Sequence, residues 1–223
     1  MLRGKPGTSV KMKVLRRGEN DDRRAVTLEV FRAIINLPSV RDVGLIKKTD
    51  KIGYVRWVEF QNNTPDQFDA ALKNLLKQGA KSLILDLRGN PGGSLYGCLK
   101  VCDEFVKKGK MVINKERHRE FSHDASLGGD WEDKPVVVLV DEGSASASEI
   151  VAGCLQDHER AKVVGLTTYG KGSVQRISTL KAGGGKNLLK LTFAKYYTPK
   201  GKAVQRTENY RGGIAPDHAV SIS

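Results

Sequence analysis

At 223 residues the chain can bury one sizeable core, with about 70% of its unfolded surface removed from water, and a small appendage besides. Its 38 Lys and Arg against 25 Asp and Glu give a net charge of +13, and its 39% apolar content is ordinary for a globular protein. The longest apolar runs, such as Pro135-Val136-Val137-Val138-Leu139-Val140, fall far short of the ~18 to 20 residues of a membrane-spanning helix, which excludes that class.

Residues 8–17, Thr-Ser-Val-Lys-Met-Lys-Val-Leu-Arg-Arg, alternate apolar and polar as a half-buried strand does. Gly18-Glu19-Asn20-Asp21-Asp22 reads as a turn into a second strand from Ala25 to Val30. Two strands make no stable domain, so this start resembles one part of a larger β-module. Residues 31–50, with Pro38, Gly44 and several charges, read as a connector. The opening Met1-Leu2-Arg3-Gly4-Lys5-Pro6-Gly7 has no apolar h-region, so no signal peptide is expected there.

An α/β pattern begins at residue 52. Ile52 to Phe60 is strand-like. Thr64-Pro65-Asp66-Gln67 then offers an N-cap, a proline at the first helical position and a capping-box Gln. Phe68, Ala71, Leu72, Leu75 and Leu76 follow at helical spacing, and Gly79 ends the helix. Ser82 to Leu87 is a buried strand that empties into Arg88-Gly89-Asn90-Pro91-Gly92-Gly93. Leu95, Cys98, Leu99, Cys102, Phe105 and Val106 mark the apolar face of a second helix. Residues 109–134 are polar and read as a surface excursion carrying Phe121 and Trp131. Val136 to Val140 is another buried strand, followed by Asp141-Glu142-Gly143-Ser144-Ala145-Ser146-Ala147-Ser148-Glu149 and a helix to about His158. Strands are expected at Lys162 to Leu166, Ser173 to Leu180 and Leu188 to Tyr197, the last two joined at Gly183-Gly184-Gly185. Strand–loop–helix units in this order predict a layered α/β fold with chemistry at the carboxyl ends of the strands.

Two loops stand out, both small-residue-rich and both leaving buried strands. The serines of Gly143 to Glu149 sit on a tight strand-to-helix turn, where first-turn N–H groups lack partners and favour developing negative charge. A serine there resembles a nucleophile elbow, although the strict G-x-S-x-G is not met. The plainer alternative is a Ser N-cap with Glu149 completing a helix start. A nucleophilic serine needs a base, and His118, His123, His158 and His218 all lie outside the glycine-rich loops. Lys171, flanked by Gly170 and Gly172 at the entry to an apolar strand, is the better candidate. Burial there disfavours the ammonium, and a neutral amine can take the serine proton. Gly165 to Lys171 also follows the first positions of a phosphate-binding loop, but Gly172 stands where its Ser or Thr belongs.

Leu87-Arg88-Gly89-Asn90-Pro91-Gly92-Gly93, Gly143 to Gly153, Leu155-Gln156-Asp157 and Gly170-Lys171-Gly172-Ser173-Val174-Gln175 together resemble the carboxyl-terminal processing peptidases, also called tail-specific proteases. The resemblance runs from about Thr8 to Val220. It implies an α/β, crotonase/ClpP-like protease core over 51–223, a partial PDZ-like segment over 1–30 and a connector between them. By the same resemblance Ser146 is the nucleophile, Lys171 the general base and Gln175 the residue that orients the lysine. The oxyanion hole is expected from the N–H groups of Gly92 and Ala147, and Asp157 matches an acidic position with a supporting or a catalytic role. Tyr196 to Gly201 and Gly213 to Asp217 resemble the family's closing signature, assigned to structure and to shaping the cleft.

The implied activity is a serine endopeptidase acting near protein carboxyl termini through a Ser/Lys dyad and an acyl-enzyme, with no cofactor and no metal. Its partners would be protein or peptide substrates with apolar carboxyl-terminal tails, with an adaptor or self-association for substrate capture, and not nucleic acid. The resemblance implies a periplasmic or cell-envelope location, against which stands the absence of an export signal in this sequence. Two rivals from other classes are a crotonase-like acyl-CoA enzyme, indifferent to loss of Ser146, and a non-catalytic peptide-binding module. The three cysteines are too few for a disulfide scaffold. Cys98, Cys102, Cys154 and His158 have a spacing that could hold zinc, but the first two fall on the apolar helix face, where buried thiols act as small hydrophobes.

Overall fold

The computed structural model describes residues 2–18, 22–34, 38–46, 51–126, 128–180 and 187–220. They fall into two units, Met1–Pro38 and Ser39–Ser223. The first is an antiparallel hairpin of β1 (Ser9–Arg17) and β2 (Arg23–Phe31). Its register sets Val10 opposite Val30, Met12 opposite Leu28 and Val14 opposite Val26, so the expected alternation gathers these side chains on one face.

In the second unit, β3 (Val40–Leu45), β4 (Ile52–Trp57), β5 (Ser82–Asp86), β8 (Val136–Val140), β9 (Lys162–Gly165) and β12 (His218–Ala219) form a six-stranded sheet in the order β12-β9-β8-β5-β4-β3. It is parallel except for the β3–β4 pair. A second, antiparallel sheet runs β10-β11-β6-β7, built from β6 (Gly109–Glu116), β7 (Glu120–Ala125), β10 (Ser173–Leu180) and β11 (Asn187–Tyr197). The helices are α1 (Thr64–Lys77), α2 (Leu95–Phe105) and α3 (Ala147–Asp157). Parallel pairing explains why the central strands read as continuous apolar runs, because both faces are covered. Val55, Leu83, Leu85, Val138 and Val140 are buried between the layers, and Trp57 stacks on Phe68 of α1 at 4.9 Å between ring centroids.

The structure departs from expectation in four places. Residues 40–45, expected within a connector, form β3 and pair with β4. Residues 109–125, expected as a surface excursion, supply β6 and β7, with Met111 to Asn114 buried and Trp131 beyond them fully buried. Their apolar stretch is too short to stand out between charged flanks, and tertiary contact with α2 and α3 decides it. Helix α1 begins at Thr64 with Asn63 as its N-cap. Thr64 Oγ1 accepts from Gln61 N–H and donates to Ser39 Oγ, while Gln67 Oε1 accepts from Ser39 N–H at 2.9 Å, so both side chains moor β3 to the helix instead of forming a capping box. The strand β12 has only two residues and no periodicity to announce it. The Gly183-Gly184-Gly185 turn lies outside the described residues.

Strand β5 ends at Asp86, which is 1% exposed and receives Arg88 N–H, the Arg88 guanidinium and the Tyr54 hydroxyl at 2.6 to 3.0 Å. Burial pushes this carboxyl up, but the bonds from Arg88 and Tyr54 outweigh it and hold it below its ordinary range. A depressed carboxyl contributes stability above the unfolded value, about 3.9, and loses it as pH falls through the folded one. We expect Asp86→Asn to cost about 2 to 4 kcal/mol at pH 7, because it weakens a buried charged network. In urea titrations the gap from the unaltered protein should shrink as pH drops below about 4. An equal gap at pH 7 and pH 3 would refute this account.

Candidate active site

Three loops leave the carboxyl ends of β5, β8 and β9 on the same edge of the parallel sheet: residues 88–94, 141–146 and 166–172. The first two are zipped together by hydrogen bonds. Gly89 N–H donates to Asp141 Oδ1 at 2.8 Å, Ser144 Oγ to Leu87 O at 2.8 Å, and Ala145 N–H and Ser148 Oγ both to Asn90 O at 3.0 Å. Such close backbone approach requires small side chains. A Cβ added to Gly92 would lie 2.7 Å from Ser146 Cβ and 2.8 Å from Ala147 N, and Gly92 has a φ of +97°.

Ser146 precedes α3 with φ 56° and ψ −114°, a conformation that non-glycine residues rarely hold. Strain of this kind costs about 1 to 3 kcal/mol and projects the side chain at the head of the helix, as in a nucleophile elbow. Glu149, one turn into α3 and fully buried, explains how it is held. Its Oε2 accepts from Ser146 N–H at 2.7 Å and Lys171 N–H at 2.8 Å, and its Oε1 from Gly170 N–H and Thr168 Oγ1, each at 2.6 Å. Four donors on two oxygens match the acceptor capacity of an ionised carboxylate. Because the backbone nitrogens of 146 and 171 share one oxygen, they lie within two hydrogen-bond lengths of each other. Tyr169 N–H donates to Ser144 O at 3.0 Å and joins the third loop to the second.

Ser146, Ala147, Lys171, Gln175, Tyr196 and Gly93 line one cavity of about 710 Å³, with Leu95, Ile150, Val174 and Ile177 as apolar walls and Glu59 and Lys190 as its remaining charges. The expected Ser146, Lys171 and Gln175 thus come together, and Lys171 is half-buried. Gln175 Nε2 donates to Thr192 Oγ1 at 3.2 Å, which leaves its amide oxygen as an acceptor. The Tyr196 hydroxyl donates to Lys171 O, and burial, with Glu149 nearby, pushes this phenol well above its ordinary range. None of the four histidines lines the cavity.

The Gly92 amide, expected as an oxyanion donor, is engaged elsewhere. Gly92 N–H donates to Asn90 Oδ1 at 2.9 Å, inside its own loop. The neighbouring amide points elsewhere. Phe60 N–H donates to Gly92 O at 2.9 Å, and in a trans peptide the N–H opposes the C=O, so Gly93 N–H points away from Phe60. Gly93 lines the cavity, and Ala147 N–H opens α3, where no preceding turn can take it. Asn90, fully buried, holds this arrangement by donating Nδ2 to Trp57 O at 2.9 Å.

Asp157 lies at the other end of α3, about 16 Å along the helix axis from Ser146. There it accepts from Lys200 N–H at 2.8 Å and faces Lys202 Nζ at 3.5 Å. Cys98, Cys102 and Cys154 are fully buried, and burial pushes the Cys98 thiol up. His158 faces Lys110 O at 2.7 Å. Glu149, Asn90, Gly93 and Tyr196 had no individual site role in the sequence reading, although Asn90 and Gly93 lie in one of its two singled-out loops and Tyr196 in the segment assigned to shaping the cleft. Glu149 left the S-x-x-E spacing from Ser146, which is shared by every capping box.

Residues 51–220 match the model of peptidase family S41. The chain belongs to that family. It is 38% identical over 225 residues to a carboxy-terminal-processing protease of Bartonella bacilliformis, covering 98% of this chain and 48% of that protein. It is 37% identical over 219 residues to a carboxyl-terminal-processing protease of Picosynechococcus, covering 98% of this chain and 50% of that one. The photosystem II D1 C-terminal processing protease shares the fold with a TM-score of 0.72 and 29% identity, over 97% of this chain and 56% of that chain. The chain therefore spans about half the length of the curated S41 relatives it matches.

Within this S41 core, Glu149→Gln should destabilise the protein by about 2 to 4 kcal/mol, because the new amide turns a donor toward donors. A denaturant midpoint unchanged from that of the unaltered chain would count against Glu149 as the joint between the loops.

Proposed function

We propose that this chain is a serine endopeptidase that cleaves proteins near their carboxyl termini through Ser146 and Lys171. The observation that carries the reading is the shared cavity, in which the strained serine and the lysine have their backbones tied to one carboxylate oxygen. Ser146 Oγ attacks the scissile carbonyl as the Lys171 amine takes its proton. The carbonyl electrons move onto oxygen, and the oxyanion sits against the N–H groups of Ala147 and Gly93. Collapse breaks the C–N bond, and Lys171 returns the proton to the leaving amine. Lys171 then activates a water that releases the acyl-enzyme, and the proton goes back to Ser146. The amide oxygen of Gln175 orients the amine.

The apolar walls Leu95, Ile150, Val174 and Ile177 suit a substrate with apolar side chains beside the bond cut. This agrees with the tails expected from the family resemblance. An envelope location, and a PDZ-like role for the β1–β2 hairpin in capturing the tail with an adaptor or a second copy, belong to the same proposal. No described helix is long and apolar enough to cross a membrane.

The test is incubation of the full chain with an apolar-tailed protein or peptide, with products weighed by mass spectrometry. Ser146→Ala and Lys171→Ala should each lower kcat by about 1,000-fold or more, with the melting temperature little changed. Lys171→Arg should be equally inactive, because a guanidinium does not give up its proton near neutral pH. Cleavage at the same rate by all four proteins would end the Ser/Lys reading.

A further inference from the structure

The mechanism uses one of the two cations on the cavity wall and leaves Lys190 unassigned. Lys190 stands on β11 opposite Ile177 of β10, just as Thr192 stands opposite Gln175. Antiparallel partners share a face, and residues two apart on a strand do too, so these four side chains are on the side that lines the cavity. From Gln175 to Ile177 is one step of two residues, about 7 Å, which equals two residues of an extended peptide laid alongside. Lys190 is exposed, and among the described residues it makes no ion pair with a carboxylate. Glu59 is the one carboxylate on the described wall, and it disfavours an acidic group only near its own position.

We propose that Lys190 is a specificity-determining residue that binds a carboxylate of the substrate two to four residues from the bond cut. The proposal rests on the protease reading above. The carboxylate could come from an Asp or Glu side chain or from the substrate's own carboxyl terminus when the bond lies that close to the end. Both present the same anion to the ammonium, and a rim ion pair of this kind adds a preference instead of the main affinity.

The test uses the full chain and peptides with apolar residues at the cut. A single Glu, Gln or Lys is scanned through the four residues on either side, each peptide with a free and an amidated carboxyl terminus. The unaltered protein should favour Glu over Gln, and Gln over Lys, by about three- to tenfold in kcat/KM at one or two neighbouring positions, less so at high salt. Lys190→Glu should reverse that order and leave the neutral peptide within about twofold. If the terminus supplies the carboxylate, amidation lowers kcat/KM by the same factor and the scanned residue has no effect. Equal kcat/KM for all peptides, or a Glu preference that survives in Lys190→Glu, would overturn the proposal. Affinities of the same peptides for Ser146→Ala report the preference without turnover. A missing preference there counts against Lys190, whereas failure of the unaltered protein to cleave any peptide counts against the protease reading.

Discussion

A carboxylate sealed inside a protein is costly unless each lone pair finds a donor. Glu149 meets that condition only when α3 and the loop after β9 lie together, since Ser146 N–H comes from one and Thr168, Gly170 and Lys171 from the other. Separating them would leave a buried charge short of partners. Two residues distant in sequence are thereby made neighbours, and the side chains proposed to react start from fixed backbone positions. The strain at Ser146 persists for the same reason, because Glu149 holds the amide of the strained residue itself.

The remaining small residues follow from a second condition, that the loops after β5 and β8 touch backbone to backbone. Asn90 O takes both Ala145 N–H and Ser148 Oγ, and Ser144 Oγ reaches Leu87 O. Gly93 shows how tight the packing is, since an added Cβ would lie 2.1 Å from Phe60 O. The glycines and serines of the two loops are thus the small side chains that allow fixed amides to point into a cavity, and electrostatic stabilisation of this type depends on such fixed donors.

Much of this was legible in the residue order. The buried strands from 82 and 136 and the helices from 64, 95 and 147 follow from apolar runs and periodicity, because covered parallel strands and amphipathic helices each leave a strong pattern. Ser146 and Lys171 were singled out from glycine-rich context and family likeness, and one cavity contains both. What escaped depends on three-dimensional closure. Whether Gly92 or Gly93 offers its amide turns on a hydrogen bond from Gly92 N–H to Asn90 Oδ1 and a peptide orientation against Phe60, neither of which leaves a trace in residue type. Strands β6 and β7 escaped because Lys110, Lys115 and Glu116 interrupt a short apolar stretch that is buried only by contact with α2 and α3.

Helix α3 is fastened at both extremities, by Glu149 near its head and by Asp157 to the turn at Lys200 near its foot. A strut gripped in this way has little freedom to slide, whereas the outer half of the β10–β11 ribbon carries exposed Ile177, Leu188 and Leu191. On the proposed protease reading, bond-breaking geometry and choice of what is broken reside in separate parts of the molecule. Changes in the ribbon would then retune selection while the rigid strut stays as it is.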